Sequence, residues 1–407
     1  MEPKTAGFRR RVFYIPGYDP FHPRRYRELY RREGAAQAGI SGYSLALAPA
    51  RLRGRYGWHV RTEIDGLSAD ADIEVLVWSD IVRGSMGSGI LATYLQLLRT
   101  AWAYIGSGAL FRLMRLRKGP VIAALYPVLF LLAQLGLAAA VCLGFVAFNT
   151  ALLPAPFGAI AGWSVGLAAG WGVLHVFRKH DNRFFAYYLM HDYAYSAQAG
   201  GATPVELEAR MTALRHDIAA ALRGECDEVL VVGHSSGAHL AVSILADLIR
   251  SGEVTETGPR LAFLSLGQVV PMLSFLPRAD RLRADLNYLC QREELTWVDV
   301  TAPGDGCAFA LCDPVAVSGV APETGKRWPL VMSAAFTQTL SPDRWRELRW
   351  RFFRLHFQYL CAFDRPKDYD YFRITAGAMP LGERYAGRPP SRSRIERATS
   401  GHVSMAA

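Results

Sequence analysis

The sequence predicts an α/β protein: a mostly parallel β-sheet covered by helices, with a pair of membrane-spanning helices inserted into it. Three observations carry this expectation. Short, nearly continuous apolar runs recur along the chain. Helical patterns separate them. Between Lys118 and Arg178 there is no Asp, Glu, Lys or Arg. Strands buried on both faces read as continuous apolar runs. Their alternation with helices is the pattern of a parallel sheet.

The expected strands follow in order. Val12–Ile15 is the first and ends at Pro16-Gly17. Ile73–Trp78, Glu228–Val232, Leu261–Leu266 and Leu295–Val300 come next, and Leu330–Ala335 is a weaker last one. Helices are expected over Pro204–Leu222, Ala238–Arg250 and Pro342–Leu360. Residues 1–92 and 179–383 should form the two parts of one α/β domain. The N-terminal stretch carries no recognisable signal peptide, because its apolar run is short and leads straight into a strand.

The uncharged stretch is too long for a core helix. A bilayer crossing takes about 20 apolar residues, so residues 119–178 accommodate two crossings. Asn149, Pro154 and Pro156 interrupt the pattern, and proline breaks helices. The spans are expected over Val121–Phe148 and Phe157–Phe177. Arg112, Arg115, Arg117 and Lys118 precede the hairpin, and Arg178, Lys179 and Arg183 follow it. Positive flanks stay in the cytoplasm, so both termini are expected there. The setting this suggests is the inner membrane of a bacterial cell.

Just upstream, within an expected helix over 93–118 and its approach, Leu91, Tyr94, Leu95, Leu98, Trp102 and Ile105 recur at helical spacing. Such a face suits the membrane interface or packing on the soluble domain. The final stretch, 384–407, is rich in Arg, Ser, Pro and Gly and is expected to be disordered.

The formal charge is +10. That balance suits nucleic acid, anionic lipid or acidic substrates. No zinc-finger spacing, RNP-type motif or basic heptad helix accompanies it, so no nucleic-acid partner is expected. The six cysteines are scattered without a CxxC pair, which argues against a zinc site or a disulfide framework. Nothing in the sequence speaks to oligomeric state.

The segment that carries chemistry is Gly233-His234-Ser235-Ser236-Gly237, a G-x-S-x-G match. The motif alone is a weak signal, and its setting gives it weight. An apolar strand precedes it and a helix free of Pro and Gly follows. In such an elbow the serine sits on a strained strand-to-helix turn, and glycines remove side chains that would collide there. The helix N-terminus favours negative charge developing beside the serine.

On these residues the chain resembles the α/β-hydrolase superfamily, in particular its lipase-like and esterase-like members. The resemblance spans roughly 10–80 and 185–380. It implies Ser235 as nucleophile and a chain order of Ser, then Asp or Glu, then His. After Ser236 only His239, His356 and His402 remain. His239 lies in the elbow helix and His402 in the tail, so His356 is the expected base, although its segment reads as helix rather than loop. Asp305, in Pro303-Gly304-Asp305-Gly306 past the end of a strand, is the expected acid, with Asp299 and Asp313 as alternatives. The backbone N–H groups of Ser236 and Tyr18 are the expected oxyanion donors, with Pro16 where related enzymes often carry histidine. The membrane hairpin before the elbow departs from ordinary soluble members.

The function this implies is hydrolysis of an ester or thioester, possible without any metal or organic cofactor. The expected substrate is a lipophilic small molecule or lipid. Acyl transfer to an alcohol or amine would use the same site. A non-catalytic membrane scaffold on a hydrolase fold is the reading from a different class.

Overall fold

The computed structural model describes residues 7–51, 56–86 and 89–406. Residues 1–6, on which the leader reading partly rests, and Ala407 of the tail lie outside them. Eight strands form one sheet: β1 (Phe8–Ile15), β2 (Ser44–Pro49), β3 (Gly57–Ile64), β4 (Leu67–Val75), β5 (Glu228–His234), β6 (Arg260–Leu266), β7 (Leu295–Thr301) and β8 (Leu330–Ser333). Their order is β2-β3-β4-β1-β5-β6-β7-β8. β3 runs antiparallel to both neighbours, and every other pairing is parallel.

The helices that bear on the site and the membrane are α1 (Arg24–Ser41), α2 (Ile90–Gly106), α3 (Ala109–Leu116), α4 (Lys118–Leu152), α5 (Phe157–Lys179), α6 (Val205–Leu222) and α7 (Gly237–Arg250). The chain divides into two compact units. One comprises Met1–Val82, Gly108–Pro120 and Ala199–Ala407, and the other Arg83–Ser107 and Val121–Gln198.

The first unit holds the sheet. Its core joins Val12, Tyr14, Leu230, Val232, Leu264 and Val298 from the central strands to Phe336, Tyr359 and Phe372 of the C-terminal segment. β2 and β3 were not expected. Their faces are mixed, and β4 begins with the polar alternation Ser68-Ala69-Asp70-Ala71-Asp72. Asp65 and Gly66, both with positive φ, close the β3–β4 hairpin in two residues. An Asp-Gly pair between alternating runs is the readable sign of such a hairpin.

The second unit holds the two helices long and apolar enough to cross a membrane, α4 and α5. Gly158, Gly162, Gly166 and Gly170 form the buried stripe of α5. A Cβ on Gly162 would lie 2.8 Å from Val146 Cα, and one on Gly166 2.6 Å from the Cys142 carbonyl. Small residues at four-residue spacing let two helix backbones approach, which is how helices associate without a hydrophobic driving force.

The unit boundary differs from the expected one. Residues 186–197 pack with the spans, because Tyr187 and Met190 share a cluster with Leu97 and Leu131. On α2 the expected apolar face divides. Tyr94 donates its hydroxyl to the Leu131 carbonyl at 3.0 Å, while Leu91, Leu95, Leu98, Trp102 and Ile105 stay exposed.

The expectation of a disordered tail is corrected. Asp313 and Ile395 pair with each other's neighbourhood through Asp313 N–H to the Ile395 carbonyl and Ile395 N–H to the Leu311 carbonyl. Ser391 N–H reaches the Val331 carbonyl on the edge strand. The fully buried Arg283 donates to the Ser404 carbonyl at 2.7 Å. Composition describes side chains only; here backbone groups of the tail satisfy buried partners.

One buried ion pair ties the C-terminal segment to the sheet. Arg10 on β1 and Glu228 on β5 are cross-strand partners, bonded at 2.5 Å with both side chains buried. Arg10 also donates to the Met379 carbonyl, and Glu228 accepts from Leu381 N–H at 2.7 Å. Removing one member leaves the other charge buried and unpaired, a loss of about 3–5 kcal/mol. Glu228→Ala should therefore lower heat or urea stability in detergent by that order. Replacing both, as Arg10→Met with Glu228→Leu, should cost much less.

Candidate active site

The site lies where β1, β5, β6 and β7 end. β1 and β5 are direct parallel neighbours, with Ile15 opposite Gly233. The turn after β1 and the turn after β5 therefore share one space. A Cβ on Gly237 would fall 2.1 Å from the Ile15 carbonyl oxygen, and one on Gly233 2.7 Å from Ala238 Cα. A Cβ on Gly17 would lie 3.0 Å from Ser235 Cβ and 3.4 Å from its Oγ. Only glycine fits at positions 233 and 237, and a side chain at position 17 would press on Ser235.

Ser235 sits in that crowded turn with φ +56°. A non-glycine residue there is strained and is held by its surroundings. Its N–H donates to the Leu266 carbonyl at 2.9 Å, and its carbonyl accepts from Ala238 N–H at 3.1 Å. Helix α7 starts two residues later with eleven of its residues buried, so the elbow stands on packed structure. Ser236 precedes the helix, and no backbone carbonyl accepts its N–H among the described residues. Tyr18 is buried and directly follows Gly17, which abuts Ser235.

His356 and Asp305 meet. His356 Nδ1 bonds Asp305 Oδ2 at 2.7 Å, with both side chains buried. Asp305 Oδ1 accepts from Cys307 N–H at 2.9 Å, and Oδ2 also accepts from the Tyr359 hydroxyl at 3.0 Å. Burial alone would raise the Asp305 carboxyl. The His356 ring, the backbone N–H of Cys307 and the Tyr359 hydroxyl outweigh it and hold the carboxyl below its ordinary value. The carboxylate stays ionised and fixes the imidazole with Nδ1 as donor. That leaves Nε2 as the acceptor. Nε2 is buried and has no hydrogen-bond partner among the described residues.

His356 lies beside the elbow. Its carbonyl accepts from Nε2 of His234, the residue before Ser235, at 3.0 Å. The two imidazoles stack with centroids 4.9 Å apart. A Cβ on Gly267, which follows the carbonyl that accepts from Ser235, would come 3.1 Å from His356 Cε1. The expected helix over Pro342–Leu360 is broken. It forms Pro342–Leu348, then Phe352–His356, then a 3-10 turn from Phe357 to Leu360. Arg351, at φ −100° and ψ +68°, leaves helical geometry. His356 is consequently the last residue of a short helix.

The alternatives for the acid lie elsewhere. Asp299 is fully buried within β7 and accepts from Ser265 Oγ at 2.5 Å. Burial pushes its carboxyl up to about 8. Asp313 caps the short helix after it and pairs with Lys326. His239 lies on α7 and His402 in the C-terminal segment.

Two residues of the cluster escaped sequence reasoning. Tyr359 bridges the acid and the strand end, accepting from Ala302 N–H at 2.9 Å while donating to Asp305. His234 supports the His356 backbone, and its Nδ1 faces the Tyr14 hydroxyl at 3.3 Å. Burial first, then the nearby His356, push His234 down to about 3, so it stays neutral. Position x of the G-x-S-x-G match and the Tyr three residues past the base were the only signals available.

Asp305, Cys307 and His356 could each offer one ligand atom to a metal ion. The chemistry of that set fits a metal poorly. Burial and the Asp305 charge push the Cys307 thiol well up, so the thiolate is disfavoured. The Asp305 oxygens are already engaged. The set fits a hydrogen-bonded acid–base pair.

Asp299 generates a pH prediction. Its folded value lies above the unfolded one, so the folded chain holds a proton that the unfolded chain releases. Its contribution to stability is complete below the unfolded carboxyl value and is lost as pH rises toward about 8. The limit is about 1.4 kcal/mol per pH unit. Asp299→Asn removes this dependence. Unfolding midpoints of the two proteins should converge near pH 4, and the variant should gain on the parent as pH climbs to 8. Equal pH slopes would show that Asp299 is ionised when folded.

No family model, curated protein or solved structure matches the chain.

Proposed function

We propose that the chain is a membrane-anchored serine hydrolase of the α/β-hydrolase type, cleaving an ester or thioester of a lipophilic substrate through an acyl-enzyme. One observation carries this reading: an elbow serine with φ +56° directly follows His234, which stacks on a histidine whose Nδ1 is held by a buried carboxylate and whose Nε2 is unbonded among the described residues. A serine hydroxyl needs such a base to become nucleophilic.

In the proposed reaction Ser235 Oγ bonds to the substrate carbonyl carbon while its proton passes to His356 Nε2. The carbonyl oxygen becomes an oxyanion, which the N–H groups of Ser236 and Tyr18 would stabilise. Collapse breaks the bond to the alcohol or thiol leaving group, which takes the proton from Nε2. Water then attacks the acyl-serine and gives a proton to Nε2. The second collapse releases the acid and returns the proton to Ser235. Asp305 orients the imidazole and stabilises its charged form throughout. A degenerate scaffold would have no need to keep this hydrogen-bonded arrangement beside the strained serine.

A fluorophosphonate probe should label the full-length protein in detergent, and Ser235→Ala should abolish labelling. Asp305→Asn should reduce turnover of a short-chain ester by orders of magnitude with the fold intact, since losing this orienting role costs about 10⁴ in the serine-protease example. Asp299→Asn should be far milder. Labelling that survives Ser235→Ala would end the proposal.

The apolar helices α4 and α5 support membrane anchoring, and their basic flanks support a hairpin with both termini in the cytoplasm. We propose the inner membrane of a bacterial cell as its setting. Ala155→Cys, in the turn between the helices, should react with an impermeant thiol reagent from outside intact cells. Met379→Cys should react only after permeabilisation. The opposite pattern would invert the topology.

A further inference from the structure

The chain between α3 and the first apolar residues of α4 lies against the loop that carries Asp305. Arg117 Nε donates to the Ala310 carbonyl at 2.9 Å. A Cβ on Gly119 would stand 3.5 Å from the Gly306 carbonyl. Between these segments is a cavity of about 460 Å³, lined on one side by Arg115, Arg117, Lys118 and Gly119 and on the other by Gly304 and Asp305. That volume falls within the roughly 300–1,000 Å³ of small-molecule sites.

One wall of the cavity is basic. Arg115 and Lys118 are exposed at its wall, and among the described residues no carboxylate pairs with Arg115, Arg117 or Lys118. Lys118 and Gly119 are also the first residues of α4. Their amides stand at the positive end of a long helix, where phosphate groups bind readily. The Asp305 oxygens on the opposite wall already accept from His356, Tyr359 and Cys307 N–H.

A second observation indicates that the anion comes from a lipid. Past Pro120 the chain runs directly into the uncharged stretch of α4, so the cavity lies at the root of a membrane span. The Asp305 loop also touches an exposed basic-aromatic segment, Arg349-Trp350-Arg351-Phe352-Phe353-Arg354. Trp350 is 72% exposed, and Phe352 packs on Gly306, where a Cβ would lie 3.1 Å from its ring. Trp, Phe and Arg together are the residues that settle at a bilayer surface. The segment ends two residues before His356.

We propose that this cavity binds the phosphate of a lipid head group, and that the substrate is therefore an anionic phosphate-bearing glycerolipid ester. This rests on the hydrolase reading for the word substrate, but not for the binding site. Arg115 and Lys118 hold the phosphate. Asp305 lines this cavity and also holds His356, so it joins the head-group site to the catalytic cluster.

The test separates the two. Binding is measured on full-length Ser235→Ala in uncharged detergent, where no turnover occurs, with dihexanoyl phosphatidic acid, dihexanoylglycerol and inorganic phosphate as probes. Phosphatidic acid should bind at least about tenfold more tightly than either of the others. Adding Arg115→Gln and Lys118→Gln should weaken it by at least about tenfold, the loss expected when charge-assisted hydrogen bonds to phosphate are removed. Lys179→Gln with Arg183→Gln, which removes equal charge from the far flank of the hairpin, should change it little. Equal loss from both pairs would mean surface charge alone and overturn the site. Equal binding of dihexanoylglycerol would overturn the phosphate assignment, and equal binding of inorganic phosphate would overturn the lipid. Tight, Arg115-dependent binding without fluorophosphonate labelling of the parent protein would leave the head-group site standing and remove the hydrolase reading.

Discussion

The structure around the site depends on the close approach of two turns. β1 and β5 pair in parallel and end together, so the chain leaving β1 and the chain leaving β5 compete for the same volume. A side chain at Gly237 would overlap the Ile15 carbonyl, and one at Gly17 would press on Ser235. The packing of α7 behind the elbow and the parallel pairing in front of it over-determine the backbone. That is what holds a serine at φ +56°, a conformation it would not adopt alone.

A second consequence follows from the shared strand ends. The carboxylate that orients His356 comes from the loop after β7, and the residue that supports the His356 backbone comes from the end of β5. Neighbouring groups in this small region are held in different protonation states by their surroundings. Asp305 is surrounded by donors and stays ionised. Asp299, fully buried with one partner on one oxygen, is pushed up to about 8. His234, buried beside another imidazole, is pushed down to about 3. Burial acts on all of them; the number and sign of their partners decides the outcome.

The apolar helices obey a different rule. In the sheet domain, burial of Val, Leu and Phe drives packing. Between α4 and α5, the contact is made by glycines whose absent side chains let backbones touch. The large apolar residues face outward instead, Leu129, Phe148, Trp163 and Leu167 among them. Such an inside-out distribution suits a hydrocarbon environment, where exposed leucine carries no cost.

The sequence by itself determined the features that depend on local pattern. Continuous apolar runs located the central strands, the uncharged stretch located both long helices, and Gly-His-Ser-Ser-Gly in its strand–helix setting located the elbow. Chain order within the resembled family then pointed to Asp305 and His356, which the fold brings into contact. Tertiary structure decided what depends on partners distant in the chain. The strands β2 and β3 lack a continuous apolar signal and exist because β4 offers β3 backbone groups to bond, and β3 in turn offers them to β2. The tail looks solvated by composition, yet Arg283, Leu311 and Val331 supply it with hydrogen-bond partners. Tyr359 gains its place only when the C-terminal segment returns to the end of β7. Periodicity reports which face a residue presents. It cannot report which other segment, hundreds of positions away, will meet that face, because that is settled by the cooperative packing of the whole sheet.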